Sequence, residues 1–412
     1  MKRSSPDSSR RALLVAGILL GALALQIAFL FIVLPKPTEL FWPDPNHYYA
    51  IAKGLYEGGP YSDAATEWNL YRSPGYPFLL SLIMHGVGTS VLGIRLVCIA
   101  LSVPFLLILY RLGTVLGNDR TGWLALLLAA VYPLYVYLPV TLYPESVLLG
   151  LFAGIGLLLF YTRDARHSLL LVLLLSGLIS LTVMVRPTAV VWVPVSLFYL
   201  TWRNGWPAGR IAGAAALLVL IPALCVVSWM YRNYRVHGCA IFTTAGSINL
   251  VNCYNEQATG RKADSGVDAE FERQLAQEKT VAVQEEMRMA RVKAFVRAHP
   301  GQALQIALQQ CLDLWNPLPT TRTQSGMAQT KYKIFVALGY VPVLLLGLYG
   351  LVVSRKNLFV QSLLLLLVLN TLANGIVAVS VRYRAVTDFV LILMAARALS
   401  VRTNSPPMLP DD

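Results

Sequence analysis

The strongest constraint on this chain is the recurrence of long apolar runs, at residues 12–34, 89–110, 121–138, 142–161, 168–185, 188–202, 211–230, 334–353, 358–380 and 385–400. A helix needs about 20 apolar residues to cross the hydrocarbon of a bilayer, and a water-soluble domain has no use for so many such runs. Lipid offers the backbone no hydrogen-bond partner, so each run must satisfy its own amides as a helix. With 56% of its 412 residues hydrophobic and 13% charged, the chain is expected to be an all-α polytopic membrane protein. About ten transmembrane helices are expected, joined by external interfacial helices and a helical extracytoplasmic loop.

Charge sets the orientation. With Lys2, Arg3, Arg10 and Arg11 on the cytoplasmic side, the later inner segments carry Arg111 and Arg120, Arg163 and Arg166, Arg203 and Arg210, Arg355 and Lys356, and Arg397 and Arg402. This is the basic bias of cytoplasmic loops. Both termini are therefore expected to be cytoplasmic, and the first run, which lacks a clear cleavage site, reads as a retained signal anchor. The long connections 35–88 and 231–333 then face outward. The expected division is an N-terminal membrane module, 1–230, which includes the first external loop 35–88. An external loop or lid follows at 231–333, and C-terminal helices with a short cytoplasmic tail at 334–412. The surplus of 34 lysines and arginines over 21 acids, +13, is an orientation signal; no run is dense enough for a nucleic-acid groove.

The external segments hold the polar chemistry. The first loop presents Phe41-Trp42-Pro43-Asp44-Pro45-Asn46-His47-Tyr48-Tyr49, then a short interfacial helix ended by Gly58-Gly59-Pro60, then Trp68, Tyr71 and Arg72-Ser73-Pro74-Gly75-Tyr76-Pro77. The second contains Tyr143-Pro144-Glu145, where a carboxylate at a hairpin mouth must meet a cavity or be wetted at the interface. Arg186-Pro187 and Arg382-Tyr383-Arg384 put arginines on the outer face against the charge bias. Phosphate binding accounts for them, and helix-end snorkelling is the alternative for any single one. In the large loop, 231–266 is irregular and rich in Asn and Gly, including Asn249, Asn252, Asn255 and Gly260. Residues 267–314 have helical periodicity, broken at His299-Pro300-Gly301 and closed by Trp315-Asn316-Pro317. Its mixed-charge face reads as solvated. Cys239, Cys253 and Cys311 fall outside, where an oxidising compartment permits one bridge, Cys239 with Cys253. There is no Cys/His zinc spacing, no phosphate-cradling glycine loop and no Gly-x-Ser-x-Gly elbow.

The order and placement of these motifs, with Trp229-Met230-Tyr231-Arg232-Asn233-Tyr234, Ala245-Gly246-Ser247-Ile248-Asn249-Leu250 and Ala258-Thr259-Gly260, resemble the GT-C superfamily of integral-membrane glycosyltransferases. The bacterial relatives of dolichyl-phosphate-mannose protein mannosyltransferases and of lipid A aminoarabinose transferases are the most similar group. The resemblance implies a bacterial inner-membrane enzyme with an extracytoplasmic site. It would be an inverting glycosyltransferase that moves a hexose or pentose from a polyprenyl-phosphate-linked donor to a glycan, lipid or protein acceptor. It also implies that Asp44 acts at the acceptor. Pro45 follows Asp44 where many relatives have Glu, and Glu145 replaces the commoner Asp.

Inversion is a single displacement, so one well-placed carboxylate suffices as base, and a phosphate leaving group needs fixed positive charge more than a proton. Asp44 and Glu145 are the candidate catalytic acids; Arg72, Arg186, Arg232, Arg382 and Arg384 are candidates for the donor phosphate. Tyr48, Tyr49, Trp68, Tyr71, Asn249 and Asn252 are candidate substrate contacts, with interface anchoring the alternative for the aromatics. No cofactor is favoured. If Mg2+ or Mn2+ takes part, Asp44 and Glu145 would be its ligands, although two carboxylates fall short of an octahedral set. A transporter or flippase for polyprenyl-linked sugars and a noncatalytic assembly subunit are the other function classes. The polar groups cluster on one face rather than at mid-membrane and no internal repeat is present, both of which weigh against transport.

Overall fold

The computed structural model describes residues 6–34, 36–41, 43–62, 70–162, 168–203, 206–258, 269–318 and 327–401. Trp42, Trp68 and Gly260 lie outside them. The helices are α1 (Pro6–Val33), α2 (Pro43–Tyr56), α3 (Gly75–Val87), α4 (Val91–Ala100), α5 (Ser102–Leu116), α6 (Asp119–Val131), α7 (Pro133–Thr141), α8 (Glu145–Tyr161) and α9 (Ser168–Val185). A 3-10 turn at Pro187–Val191 leads into α10 (Trp192–Arg203) and α11 (Ala208–His237). The large loop holds α12 (Ala245–Cys253), α13 (Ala269–Gln277), α14 (Val281–Ala298) and α15 (Pro300–Leu314). The chain closes with α16 (Met327–Val353), α17 (Leu358–Val377), α18 (Val381–Ala385) and α19 (Asp388–Val401).

All ten apolar runs are helical, as lipid requires. Among the described residues five helical stretches are long and apolar enough to cross a membrane: Ser9–Val33, Val91–Leu116, Ala208–His237, Lys333–Val353 and Leu358–Val377. The pair Asp119–Val131 and Pro133–Thr141, bent by 56°, makes a sixth, and further shorter apolar helices include Glu145–Tyr161, Leu169–Val185 and Pro187–Trp202. One buried cluster joins them, running from Ala22 through Phe152 and Trp192 to Phe389 and Met394. A second, smaller core of Val251, Tyr254, Phe271, Val292, Phe295 and Ile306 holds α12 to α15 together. Cys239 and Cys253 are not joined by a disulfide, so the bridge that the sequence permitted is not formed.

Prolines shape the end of the bundle that carries Asp44. Pro133 forces Tyr132 into extended backbone (φ −69°, ψ 122°), because a residue before proline is driven out of the helical region, and the bend between α6 and α7 follows. Arg186 is extended before Pro187 for the same reason (φ −150°, ψ 118°), which turns its side chain away from the axis of α9. Arg95, fully buried in α4, donates to the carbonyls of Pro37 and Glu39 and so ties the segment before α2 to the bundle.

Gly75 sets how closely two of these ends meet. A Cβ at this position would lie 2.7 Å from both the Met184 carbonyl carbon and the Val185 nitrogen, so α3 starts directly against the backbone that leads to Arg186. Gly75→Val should therefore cost at least the roughly 1–3 kcal/mol of core overpacking. A lower Tm in detergent or vesicles checks this, and an unchanged Tm would show that the two ends are not in backbone contact.

Candidate functional site

Five charged side chains from five separated stretches of chain meet at this end of the bundle. Asp44, in the first turn of α2, accepts from Arg72 Nη2 on Oδ1 at 2.7 Å and from Arg382 Nη2 on Oδ2 at 2.9 Å. Glu145, in the first turn of α8, accepts from Arg186 Nη1 on Oε1 at 2.5 Å, and its Oε2 lies 4.0 Å from Arg382 Nη1. The result is an alternating chain, Arg72, Asp44, Arg382, Glu145, Arg186. Among the described residues it contains three guanidiniums and two carboxylates, a surplus of one positive charge. A helix N-terminus favours each acid by its dipole, which helps to hold Glu145 buried.

Tyrosines form the walls. The Arg72 guanidinium lies 4.6 Å from the Tyr48 ring centroid and 4.4 Å from that of Tyr71. Arg186 lies 3.5 Å from Tyr383, and Arg382 lies 3.7 Å from Tyr143. Such stacking contributes about 2 kcal/mol when the cation is desolvated, and it fixes each guanidinium plane while leaving N–H groups to donate.

The two acids differ in access. The Asp44 side chain is 33% exposed and that of Glu145 is 2% exposed, so of the two acids only Asp44 reaches solvent. Burial pushes the Asp44 carboxyl up, but the Arg72 and Arg382 guanidiniums outweigh it and hold it well below the usual carboxylate range. Burial likewise raises the Tyr48 and Tyr71 phenols, which therefore remain neutral at physiological pH.

Backbone geometry aims these groups. Leu70 (φ 64°) and Leu142 (φ 57°) are left-handed, a conformation that costs a leucine on the order of 1 kcal/mol and persists only where its surroundings enforce it. Leu70 directly precedes Tyr71-Arg72, and Leu142 precedes Tyr143-Pro144-Glu145. The first turn is held from the loop beyond α11. Thr244 N donates to Leu70 O at 3.0 Å and Thr243 Oγ1 donates to Tyr71 O at 2.6 Å. Tyr61 Oη donates to Arg72 O at 2.8 Å, and Arg232 Nη2 donates to Tyr61 O at 2.7 Å.

The structure thus brings together Asp44, Glu145, Arg72, Arg186, Arg382, Tyr48 and Tyr71, and sets the other candidates apart. Arg232 reaches the cluster only through Tyr61 and the backbone of Arg72. Arg384 is fully buried. It pairs with Asp388 at 3.2 Å, donates to Leu314 O at 3.0 Å and stacks 3.6 Å over Tyr340. Tyr132 Oη donates to the same Asp388 at 2.6 Å, and these bonds fix α18, and with it Arg382, to α7 and α15. Tyr49 Oη is bonded to Thr89 O at 2.7 Å. Asn249 and Asn252 are half-buried on α12, and among the described residues no hydrogen bond links them to the cluster. Trp68 lies outside the described residues. Tyr143 and Tyr383, the ring partners of two arginines, and His47, whose Nδ1 lies 3.1 Å from Arg72 Nη2, join the site although the sequence motifs that contain them assign them no role. One signal was available for His47, which stands one helical turn after Asp44.

Comparison with known proteins agrees with this architecture. Residues 71–229 match the family described as dolichyl-phosphate-mannose-protein mannosyltransferase. No curated protein matches the sequence. Among solved structures, the apo oligosaccharyltransferase of Archaeoglobus fulgidus superposes with a TM-score of 0.57 at 14% identity, over 94% of this chain and 50% of that one. The same archaeal enzyme, AglB, in complex with an inhibitory peptide and a dolichol-phosphate gives a TM-score of 0.54 at 15% identity, with coverage of 94% and 50%. Its form tethered to an acceptor peptide with the NVT sequon gives 0.57 at 15%, with coverage of 94% and 49%. The chain therefore spans about half the length of these enzymes. These likenesses show that the chain shares the fold of the archaeal oligosaccharyltransferase, in keeping with its several apolar helices long enough to cross a membrane.

A further structure of the archaeal enzyme is described as a complex with Zn and sulfate. The residues here do not suit a divalent cation. Both Asp44 oxygens and Glu145 Oε1 already accept from guanidiniums, and among the described residues no group of three His, Cys, Asp or Glu side chains is placed to hold a metal. Among the described residues the charged side chains of the site leave one positive charge over, where a divalent cation would need surplus negative charge.

Arg384 and Arg382 should separate by experiment. Arg384→Gln leaves Asp388 buried without its counter-charge, and breaking a buried pair in this way costs roughly 3–5 kcal/mol, read as a fall in Tm. Arg382→Gln leaves Asp44 paired with Arg72 and Glu145 paired with Arg186, and should keep the Tm nearer to that of the wild type. Equal Tm losses for the two variants would remove the distinction.

Proposed function

We propose that the protein is an inverting glycosyltransferase. It would take a sugar from a polyprenyl-phosphate-linked donor and pass it to an acceptor hydroxyl on the extracytoplasmic face of the bacterial inner membrane. The observation that carries this reading is the surplus guanidinium charge of the Arg72, Arg186 and Arg382 cluster. It is set among tyrosine rings where membrane helices end, and a singly charged phosphodiester neutralises it. The matched family is named for a dolichyl-phosphate sugar, and a structural neighbour is described with a dolichol-phosphate, which supports the same donor class.

The chemistry follows from the alternating chain. The donor phosphate competes with Asp44 for Arg72 and Arg382, because phosphate and carboxylate present the same bidentate acceptor geometry to guanidinium. As the guanidiniums turn to the phosphate oxygens, Asp44 loses the charges that suppress its basicity and becomes able to accept a proton. The acceptor oxygen then attacks the anomeric carbon from the face opposite the phosphate, and its proton passes to Asp44. The bond from the anomeric carbon to the phosphate oxygen breaks, and its electron pair leaves on the phosphate, where the arginines stabilise the charge. Glu145, closed to solvent, stays paired with Arg186 and keeps Arg186 and Arg382 oriented. Arginine supplies the fixed positive charge that the leaving phosphate needs. The loop from Asn249 to Gly260 and the helices after it shape the acceptor side.

Asp44→Asn is nearly isosteric but cannot take the proton. It should retain polyprenyl-phosphate binding and lose roughly 10²- to 10⁴-fold in turnover, measured with a radiolabelled donor; near-normal transfer would remove the base role.

The pH dependence carries a sign. With no donor bound, Asp44 faces Arg72, Arg382, His47, Tyr48 and Tyr143, and its ionised form persists well below the usual carboxylate range. With donor bound, burial that is no longer offset by those arginines raises its pKa. The acid limb of kcat/KM for the acceptor at saturating donor should therefore lie at higher pH than that of kcat/KM for the donor. Coincident limbs would mean that the arginines do not change partners.

A further inference from the structure

Helix α15 differs from its neighbours in the large loop. In α14 the residues Glu285, Glu286, Arg288, Arg291, Lys293 and Arg297 make a charged surface, whereas α15 has no charged residue from Pro300 to Leu312. Its inner face, with Ala303, Ile306 and Leu314, is buried. Its other face is also apolar: Leu304, Leu308 and Leu312, spaced four residues apart, are 62%, 57% and 68% exposed. Four-residue spacing puts them in one row along the helix. Gln305 is the polar neighbour at the outer end of that row. Gln309 and Asp313 follow Leu308 and Leu312 and lie beside the row, where Asp313 accepts from Gln309 at 3.0 Å.

The row lies on a helix packed against α17, which is long and apolar enough to span a bilayer. Cys311 packs on Gly375 of α17 so closely that a Cβ there would meet its sulfur, and Trp315 Nε1 donates to Thr371 Oγ1 at 3.1 Å. Helix α17 exposes its own four-residue row of Leu364, Val368, Leu372 and Ile376. Thr371 stands six residues before the end of α17, which is about 9 Å of helix below that end. The C-terminal half of α15 therefore sits at the depth of the last turns of a lipid-facing span. A water-facing row of three leucines there would leave apolar surface unsatisfied for no gain.

We propose that α15 is embedded in the bilayer leaflet on the Asp44 side, with Leu308 and Leu312 among lipid acyl chains and Leu304 near the headgroups. A segment whose sequence reads as part of a solvated lid is then a membrane anchor. Through the bond from Arg384 to Leu314 O, this anchor is tied to the turn that carries Arg382.

The test places single nitroxide labels on Leu304→Cys, Leu308→Cys and Leu312→Cys, in a full-length chain with the five native cysteines changed to Ala. The protein is reconstituted in phosphatidylethanolamine and phosphatidylglycerol vesicles. Collision with oxygen should exceed collision with a water-soluble nickel chelate at 308 and 312, with the ratio rising from 304 to 312, while Glu286→Cys shows the opposite preference. Nickel access at all three positions would overturn the proposal. So would low access to both reagents, the mark of cover by a second copy or by the rest of the loop. In the native-cysteine background, Leu312→Lys should lower the vesicle-measured Tm more than Leu304→Lys, and equal or absent shifts would overturn it as well.

Discussion

Three guanidiniums and two carboxylates, alternating where the membrane helices end, are the arrangement on which the rest of this structure depends. Each member is too costly to bury alone, and each is compensated by a neighbour in the chain of pairs. Because the count among the described residues is odd, the pairs leave one positive charge uncompensated. Tyr48, Tyr71, Tyr143 and Tyr383 make this arrangement affordable, since their rings meet the guanidinium faces without using up N–H donors.

The scaffold holds the five charges in register through constraints that act at a distance from them. Proline takes Arg186 out of α9 and bends the chain at Tyr132, and left-handed leucines turn the chain just before Arg72 and just before Glu145. Hydrogen bonds from Thr243, Thr244 and Tyr61 occupy the carbonyls of residues 70–72, so the large loop contributes directly to the placement of Arg72. The Arg384, Asp388 and Tyr132 network does the same for Arg382 from within the bundle. Pairing between the site arginines and Asp44 gives the resting protein a protected carboxylate, and the proposed chemistry depends on an anion able to displace it.

An arrangement of this kind is suited to group transfer at a surface more than to passage across the bilayer. Its polar groups lie at one end of the helices, and the core behind them is packed with leucine, phenylalanine and tryptophan from both the early and the late helices.

The sequence by itself determined much of this. Apolar run length marked most of the bundle, because lipid leaves the backbone no alternative, although the run 121–138 is bent at Tyr132 and α3 lies outside the ten runs. Proline and glycine marked the breaks, as at Arg186-Pro187 and His299-Pro300, because their restrictions are local. The reading also singled out Asp44, Glu145, Arg72, Arg186 and Arg382, since charged residues at the mouths of apolar helices need partners or a ligand. Only the tertiary structure decided which of the arginines meet Asp44 and Glu145. Arg382 and Arg384 are two residues apart on one short helix, yet opposite directions around it send one to Asp44 and the other to Asp388. Arg232 likewise ends on a backbone carbonyl rather than in the cluster. The two left-handed leucines, the absence of a Cys239–Cys253 bridge and the exposed row of α15 were equally out of reach. Each depends on which surfaces meet in three dimensions, and no local pattern of residues encodes that meeting.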